Sequence, residues 1–359
     1  MILDLIGAGY TVYAFATDYN SSTEEQVSLL GAFPVRYRLS RGGMNPLADV
    51  WNAILLSRKL RRYNIDTVLS YFSKPVIFGT LAAVLAGIKN RFGMLEGLGY
   101  AFTKRPYGDK LSTLCLRWLL VSLYRLTLPL LDTVIFLNPD DRSDLIDSYR
   151  IKVQSSIILG GIGLSLDEFP YSPPKTDRVS FLFIGRFLAE KGIHEYIEAA
   201  RLVKADFPEA EFIMLGEPDE SNPGSLSRQQ VSQLIDDGII VCPGKVDNVL
   251  PWLIQCSVFV LPSYREGVPR SSQEAMAIGR PILTTDVPGC RETVVTGRNG
   301  FLVKPWSPQE LANRMIFFIH NPEKIGPMGQ ASREIAEKHY DAGLVNKRIL
   351  SLLASKKDN

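Results

Sequence analysis

The chain has 359 residues, a net charge of +2 and a 46% hydrophobic composition. This length fits two domains of ordinary size, and the hydrophobic content can fill two cores, which excludes a disordered protein. A net charge this small argues against nucleic acid as a partner. The four cysteines have neither metal-ligand nor paired spacing, which is typical of thiols in a reducing compartment.

The basic residues are unevenly distributed. Residues 1–165 carry 18 Lys and Arg against 13 Asp and Glu, and the remaining residues carry 22 against 25. Residues 89–125 hold seven basic and two acidic side chains. The first half is therefore net positive, most of all in that segment.

The chain opens on the sequence ILDLIGAGYTVYAFATDY. This stretch lacks a basic region and a cleavage site, so no signal peptide is expected. ILDLI is typical of the end of an amphipathic helix, GAG of its stop and YTVYAFAT of a buried strand. We therefore expect the chain to begin inside a β-α-β unit whose first strand is absent.

Further strands and helices follow more loosely in the first half, in DVWNAILLSRKLRRYN, IDTVLSYF, VIFGTLAAVLAG, DTVIFLN and PDDRSDLIDSYR. Within this half, residues 111–131 form the most hydrophobic stretch of the chain. Spanning a bilayer is not expected of it, because Arg117 and Arg125 would each cost a few kcal/mol near mid-membrane. Two interpretations stay open: a buried helix of the first domain, or a surface helix in the membrane interface. Lys104, Arg105 and Lys110 upstream suit the second.

A segment rich in Gly, Pro and Ser, residues 155–178, separates the halves and is the best linker in the chain. After it, short β-branched runs alternate with helical segments, from VSFLFIGR to SPQELANRMIFFIHN, which indicates a parallel sheet covered by helices. The predicted architecture is α/β, with two doubly wound domains. We place a first domain at residues 1–160, a hinge at 161–178, a second domain at 179–335, and a C-terminal helix within 336–359 that packs toward the first domain.

Polar residues follow the strands of the second half. Gly185 and Arg186 end the strand VSFLFIGR, and Lys191 begins the next helix. Glycine permits close backbone approach, and the two cations suit a diphosphate. The alternative is an arginine and a lysine that are simply solvated at a helix start, which is the commoner fate of such a pair.

A second site for an anion is predicted at REGVPRSSQEAM, residues 265–276. The backbone amides of Gly267 and Val268 precede a helix that begins near Pro269 and Arg270. Such amides and the positive end of the helix dipole attract a phosphate.

Two glutamates flank this corner. Glu266 precedes the turn and Glu274 lies inside the helix. Carboxylates accept two hydrogen bonds and so favour vicinal hydroxyls, which sugars and ribose supply. Gly289 and Cys290, in the turn TTDVPGCRET, are predicted to face the same crevice.

The second half resembles the donor domain of the retaining GT-B glycosyltransferases of family 4. The motifs that carry the resemblance are GRFLAEKG, PSYREGVPRSSQEAMAIGRPILTTDVPGCRETV and GRNGFLV. In the first half, SRGGMNPLADV, SKPVIFGTLAAVLAGI and EGLGYAFT are similar to a bacterial subgroup that extends polyprenyl-diphosphate-linked sugars. The family fold has two Rossmann-like domains that face each other across a cleft.

The resemblance implies a role for each matching residue. Arg186 and Lys191 would neutralise the diphosphate as the glycosidic bond breaks, so no metal or other cofactor is expected. Glu266 would hold the donor sugar and Glu274 the ribose diol. The other donor-binding positions implied are Gly185, Gly267, Val268, Pro269 and Arg270, with backbone groups of Lys245 and Val246 near the base.

Acceptor-side residues are implied at Glu96, Gly97, Gly99 and Tyr100. Glu96 departs from the uncharged residue of the family, and it is either an acceptor-side carboxylate or a loop residue satisfied by Arg91 or Lys104. The absent first strand is the second departure. It indicates either a start codon assigned too late or a truncated gene.

The predicted function is therefore a metal-independent retaining glycosyltransferase. Its donor is a nucleotide sugar, UDP-linked, and its acceptor an oligosaccharide or a lipid-linked saccharide. Its predicted location is the cytoplasmic face of the plasma membrane, which residues 104–131 contact. The alternatives are an impaired GT-B protein acting as a scaffold, or a sugar-nucleotide 2-epimerase. A periplasmic sugar-binding receptor is disfavoured because cations, not aromatic platforms, cluster here.

Overall fold

The computed structural model describes residues 1–39, 46–106, 108–220, 222 and 224–355. The chain divides into two compact units. The first unit comprises Met1–Glu96, Leu111–Leu159 and Ala342–Asn359, and the second comprises Gly97–Lys110 and Gly160–Asp341. The functional domain boundaries given above stay predictions. The motif SRGGMNPLADV lies largely outside the described residues.

Twelve β-strands occur in the described residues: β1 (Tyr13–Ala16), β2 (Phe33–Arg36), β3 (Thr67–Tyr71), β4 (Asn90–Leu95), β5 (Thr133–Phe136), β6 (Ser156–Ile158), β7 (Ser180–Ile184), β8 (Glu211–Leu215), β9 (Val241–Gly244), β10 (Val258–Leu261), β11 (Ile282–Thr285) and β12 (Gly300–Val303).

The α-helices of the described residues are α1 (Ile2–Gly7), α2 (Ser21–Leu29), α3 (Pro46–Arg62), α4 (Thr80–Ala86), α5 (Leu111–Thr127), α6 (Pro139–Arg142), α7 (Ile193–Asp206), α8 (Arg228–Asp236), α9 (Leu250–Gln255), α10 (Arg270–Ile278), α11 (Pro308–His320), α12 (Ile325–His339) and α13 (Ala342–Ala354). Short π-helical turns at Pro75–Gly79 and Ser143–Asp147 continue into or out of α4 and α6.

One parallel sheet of six strands organises the second unit, in the order β12-β11-β10-β7-β8-β9. The first strand of the unit lies beside its fourth, so the strand order reverses between β7 and β10. This is the order of a dinucleotide-binding fold, in which ligands bind at the carboxyl ends of the two strands that flank the reversal. The predicted α/β class is confirmed.

The core of the second unit is aromatic and satisfies its polar atoms. Phe181, Phe212 and Tyr196 are fully buried, and the first two rings stack at 5.3 Å. The Tyr196 hydroxyl donates to the carbonyl of Phe181 at 2.7 Å and lies 3.1 Å from that of Ile213. Because a buried hydroxyl without a partner costs free energy, these contacts let α7 pack its tyrosine against β7 and β8.

The first unit contains two parallel sheets in its described residues. Strands β3-β4-β5-β6 form one, and β1-β2 form the other. The prediction of a buried strand at YTVYAFAT is wrong in its burial, because all four residues of β1 are only half-buried. Within the described residues β1 pairs with β2 alone, which leaves its other edge uncovered by a strand.

Four elements of the first unit, α2, β2, β4 and β6, escaped the sequence prediction. Helix α2 begins at a capping box between Asn20 and Thr23 and has no buried residue, so no apolar stripe marks it. Strand β2 contains Pro34, which argues against a strand in sequence analysis. At the other end of the chain, α13 belongs to the first unit, where Asn346 donates to Asp4 of α1 at 2.9 Å.

Candidate active site

The candidate site lies where the strand order of the second unit reverses. Strand β7 ends at Ile184 and is followed by Gly185 and Arg186, and β10 ends at Leu261 and is followed by residues 262–270. Both strands run parallel and are hydrogen-bonded neighbours. The predicted diphosphate residues and the predicted sugar-binding turn therefore come from the same edge of one sheet.

Glu266 and Lys191 are in direct contact. The Lys191 ammonium lies 2.5 Å from Oε1 of Glu266, and the hydroxyl of Ser263 donates to the same oxygen at 2.7 Å. The side chain of Glu266 is 12% exposed and that of Lys191 24%. A carboxylate held by a cation and a hydroxyl has a fixed orientation, which suits it to accept hydrogen bonds from a ligand.

Gly192 brings Lys191 to this place. Its backbone has φ +71° and a side chain on it would put Cβ 2.0 Å from the Pro262 carbonyl oxygen. The chain after β7 therefore approaches the chain after β10 as closely as only glycine allows. A hydrogen bond stabilises this approach of the two segments, since the Tyr264 amide donates to the Glu190 carbonyl at 2.9 Å.

Helix α10 opens directly after the turn. Its N-cap is Pro269, without a side-chain cap hydrogen bond, so the amides of the first turn are left to other partners. Arg270 donates to Glu274 at 2.9 Å, one turn further on. The Glu274 side chain is 12% exposed. Burial raises the pKa of this carboxyl above its usual value, and the hydrogen bond from Arg270 opposes the shift.

The turn at residues 288–290 closes one side of the corner. The Glu266 amide donates to the Pro288 carbonyl at 3.0 Å. A Cβ on Gly289 would lie 2.3 Å from the Glu266 carbonyl oxygen, so only glycine fits there. Cys290 is fully buried, and burial, followed by the charge of Glu266, raises the pKa of its thiol to about 12. The Cys290 thiol therefore stays protonated and unreactive, and it only lines the corner.

The remaining donor-side residues lie further along the same sheet. Arg186 is 62% exposed and sits 3.5 Å from Asp219, in the loop after β8. Lys245, which follows β9, sits 3.7 Å from Glu217 in that loop. The described contacts thus bring Lys191 to Glu266 and Arg270 to Glu274, but they pair Arg186 with a different carboxylate. Val246, next to Lys245, is half-buried.

The predicted acceptor segment belongs to the second unit by its contacts. A Cβ on Gly97, which has φ +128°, would lie 3.2 Å from the Gly267 amide nitrogen. Arg265 donates to the carbonyl of Phe102 at 3.0 Å. Gly99 and Tyr100 are exposed between these two contacts. The segment that carries three of the four predicted acceptor residues therefore lies against the predicted donor turn.

Glu96, the fourth, belongs to the first unit and is half-buried. Burial raises the pKa of its carboxyl. Burial and then the charge of nearby Glu96 raise the pKa of the Tyr71 phenol to about 12. Among the described residues, Arg91 donates to carbonyls of Leu130 and Ile88 and no ion pair joins it to Glu96.

No cluster of three or more His, Cys, Asp and Glu side chains that could hold a metal ion occurs in the described part of the chain. Metal independence stays a prediction.

Helix α5 is partly buried, with an exposed outer face. Together with the short helix after it, α5 forms the segment Leu111–Leu130, which is long and apolar enough to cross a membrane. In the most apolar part of this segment, 28% is buried against the rest of the protein. Its inner face carries Thr113, Val121 and Tyr124. Its outer face carries Leu111, Leu114 and Trp118, of which Trp118 is 70% exposed. Both interpretations of this stretch, a buried helix of the first domain and a surface helix in the membrane interface, stay predictions.

The site lies within a stretch of the chain that matches the model of a known family. Residues 165–335 match the model of the family described as glycosyl transferases group 1. The protein carries a group 1 glycosyltransferase domain. The predicted enzyme class, a glycosyltransferase, is thereby confirmed.

Relatives of the whole chain fall in the predicted subgroup. The chain is 27% identical over 337 residues to the N,N'-diacetylbacillosaminyl-diphospho-undecaprenol alpha-1,3-N-acetylgalactosaminyltransferase of Campylobacter jejuni, covering 90% of this chain and 86% of that protein. It is 26% identical over 272 residues to the UDP-Gal:alpha-D-GlcNAc-diphosphoundecaprenol alpha-1,3-galactosyltransferase of Escherichia coli, covering 72% and 67%. The resemblance to glycosyltransferases of diphosphoundecaprenol-linked sugars is confirmed.

The fold is also that of solved structures, among them a glycosyltransferase from Rickettsia africae with a TM-score of 0.76 at 17% identity, covering 99% of this chain and 92% of that chain. HepE from Anabaena, whose crystal structure is a complex with UDP, superposes with a TM-score of 0.75 at 18% identity, covering 99% of this chain and 95% of that chain. This likeness confirms the predicted GT-B fold.

Sequence reasoning missed several residues that the structure places around the site. Ser263 and Gly192 fix Glu266 and Lys191, and Arg265 reaches the acceptor segment. Each lies within three residues of a predicted one, so proximity along the chain was the available signal. Gln273 is adjacent to the predicted Glu274, but a glutamine there is typical of any helix, so its residue type did not mark it.

Proposed function

We propose that the protein transfers a hexose or N-acetylhexosamine from a UDP-linked sugar to a polyprenyl-diphosphate-linked saccharide. The observation that carries this proposal is the Glu266 carboxylate, held by Lys191 and Ser263 where the strand order reverses. The relatives named above, which act on diphosphoundecaprenol-linked sugars, support the acceptor class. The UDP complex of HepE supports the nucleotide.

In the proposed reaction the bond between the sugar's anomeric carbon and the diphosphate breaks, and the diphosphate leaves with the bonding electrons. An acceptor hydroxyl forms the new bond to that carbon and passes its proton to the departing phosphate oxygen. Lys191 has three N–H donors, so it can hold Glu266 and a phosphate oxygen together. Its charge and the amides that open α10 stabilise the negative charge as it develops, which is the largest single contribution in such sites.

Glu266 and Glu274 divide the recognition of the donor. Glu266 accepts hydrogen bonds from hydroxyls of the sugar. Glu274 accepts hydrogen bonds from the two ribose hydroxyls, and Arg270 holds the Glu274 carboxylate in orientation. Retention of the anomeric configuration belongs to the proposal through the family resemblance. Arg186 joins the diphosphate by exchanging Asp219 for a phosphate oxygen, an exchange that its 62% exposure permits.

On the acceptor side, the segment with Gly97, Gly99 and Tyr100 lies against the donor turn, and the half-buried Glu96 adds a carboxylate for a saccharide hydroxyl. The outer face of α5 contacts the cytoplasmic face of the plasma membrane. Trp118 and its neighbouring leucines enter the interface, where aromatic and aliphatic side chains gain free energy on leaving water. Lys110 and Arg125 are exposed and meet anionic head groups.

Calorimetry and thermal shift of the purified chain against UDP, GDP and ADP, without metal, test the donor class. Selective binding of UDP is expected, with a rise in Tm from mass action. A transfer assay with diphosphoundecaprenol-linked saccharides then tests the reaction, and NMR of the product tests retention. Binding without transfer would favour the scaffold alternative. Release of an epimerised nucleotide sugar without acceptor would favour the epimerase.

A further inference from the structure

One side chain of α10 connects the donor turn to the linker between the halves of the chain. Gln273 is fully buried. Its Nε2 donates to the Val268 carbonyl at 3.1 Å, and its Oε1 accepts from the Gly163 amide at 3.2 Å. Only this orientation of the amide works, because a donor must face the carbonyl and an acceptor must face the N–H.

The linker is shaped to reach this amide. Gly161 and Gly163 have φ of +141° and +70°, conformations that favour glycine. A Cβ on Gly161 would lie 3.1 Å from the ring of Tyr340 and 3.4 Å from Oε1 of Gln273. The linker therefore packs directly on the side chain that also holds Val268.

An apolar residue would be the simpler choice at this position. The positions that follow on the same helix, Ala275, Met276, Ala277 and Ile278, are buried and apolar. A buried amide costs a few kcal/mol unless both its ends are bonded, so its presence requires partners that need it. Those partners are a carbonyl of the donor turn and an amide of the linker.

We infer that Gln273 is a positioning residue that sets the backbone of the donor turn from the linker. By fixing the Val268 carbonyl, it fixes the plane of the peptide bond that leads into Pro269 and the start of α10. Substrate contacts fall to the turn itself. This inference rests on the proposed function, in which the turn binds the donor diphosphate.

Gln273→Glu tests the inference through pH. An ionised carboxylate still accepts from Gly163 but cannot donate to Val268, whereas a protonated one can donate again. Burial raises the pKa of a carboxyl at such a site, so protonation is reached under mildly acidic conditions. The titratable or charged groups near it are Tyr340, which packs on the same Gly161, and Arg270 and Glu274 of the same helix, and wild type shares all of them. The ratio of variant to wild-type Kd therefore isolates residue 273.

We expect UDP to bind Gln273→Glu about 30-fold more weakly than wild type at pH 8, and within about threefold at pH 5. Gln273→Met, which removes both hydrogen bonds, weakens binding about 10-fold at both pH values. Gln309→Glu, an exposed glutamine on α11, is the matched control and leaves Kd unchanged. Equal losses for Gln273→Glu at both pH values, or none at pH 8, would overturn the inference.

Hydrogen exchange provides a readout without ligand. The Gly163 amide should exchange about 10-fold faster in Gln273→Met than in wild type, while Gln273→Glu keeps it protected. If wild type does not bind UDP, the proposed donor class fails, and this measurement still decides the role of Gln273. Unchanged exchange of Gly163 in Gln273→Met would refute it.

Discussion

The two units differ most in what they expose. Among the described residues, sixteen large apolar side chains are exposed in the first unit and five in the second, although the second is the larger. In the first unit they are grouped on helices: Leu47, Val50 and Trp51 on α3, and Leu111, Leu114 and Trp118 on α5. Grouped exposure of this kind marks an interaction surface.

The second unit has few exposed apolar side chains and instead holds polar side chains in covered contacts. Glu266 and Glu274 are both nearly covered, and each has a cationic partner. A soluble, charged donor needs polar groups fixed in advance, whereas a lipid-linked acceptor arrives at an apolar surface. The comparison suggests that donor chemistry and access to the membrane can be altered separately, one unit at a time.

The largest expected effect is in the second unit. Glu266→Ala should lower kcat about 1,000-fold, because it removes the carboxylate that is proposed to bind the donor sugar and leaves Lys191 without its fixed partner. The fold should persist, with Tm within a few degrees of wild type. Transfer with the lipid-linked acceptor measures the loss, and Glu220→Ala, an exposed glutamate, is the control.

Vesicle binding of the same variant sharpens the comparison. It should equal that of wild type, since Glu266 lies in the unit with few exposed apolar groups. Turnover near the wild-type value would remove Glu266 from the active site.

The second effect is in the first unit. Replacing Leu114 and Trp118 by Ser should weaken binding to anionic phosphatidylglycerol vesicles about 100-fold, because each side chain contributes roughly 1.4 kcal/mol on partial burial. Affinity for UDP should not change. Co-sedimentation with vesicles measures the first quantity and calorimetry the second.

The double variant Leu29→Ser, Leu30→Ser is the matched control, since both leucines are exposed on or next to α2 in the same unit. An equal loss of vesicle binding in this control would mean that α5 has no special role. Retained binding by the α5 variant would contradict the proposed membrane surface.

A third effect separates Glu274 from the rest of the second unit by pH. Because burial raises the pKa of Glu274, a fraction of this carboxyl is protonated at pH values just above those at which carboxyls usually titrate. A protonated carboxyl accepts fewer hydrogen bonds from hydroxyls. Donor binding should therefore strengthen as pH rises through that raised pKa. Glu274→Gln stays neutral, so its affinity should be about 10-fold lower at pH 7 and flat with pH.

A UDP-linked sugar is the right probe, since its diphosphate has no proton that titrates near neutral pH. Glu220→Gln is the control and should keep the wild-type profile. A profile for Glu274→Gln that still rises with pH would assign the titration to another group.

The same contrast explains what could be predicted from the sequence. In the second unit most strands are short apolar runs with polar residues after their ends, so the runs indicated the strands and the residues after them indicated Lys191 and Glu266. In the first unit α2 has no apolar stripe and β2 contains Pro34, so neither left a pattern.

Pairings across the sheet could not be predicted. Arg186 and Lys191 are five residues apart, and nothing in the sequence indicates that one contacts Asp219 and the other Glu266. Such choices depend on which strands are neighbours. Gln273 likewise depends on the path of the linker, 110 residues earlier in the chain.

The smallest expected effect concerns the acceptor segment, which follows a strand of the first unit along the chain but has its contacts in the second. Arg265→Gln removes the charged donor to the Phe102 carbonyl and keeps a shorter amide. The expected result is about a fivefold higher KM for the lipid-linked acceptor at unchanged affinity for UDP, because a hydrogen bond contributes about 1 kcal/mol net.

Arg228→Gln, at an exposed ion pair with Glu220, is the matched control and should leave both quantities unchanged. If Arg265→Gln instead weakened UDP binding and left the acceptor KM alone, the segment would serve the donor. Because Gly97 lies against the Gly267 amide, that result would move the segment from the acceptor side of the comparison to the donor turn itself.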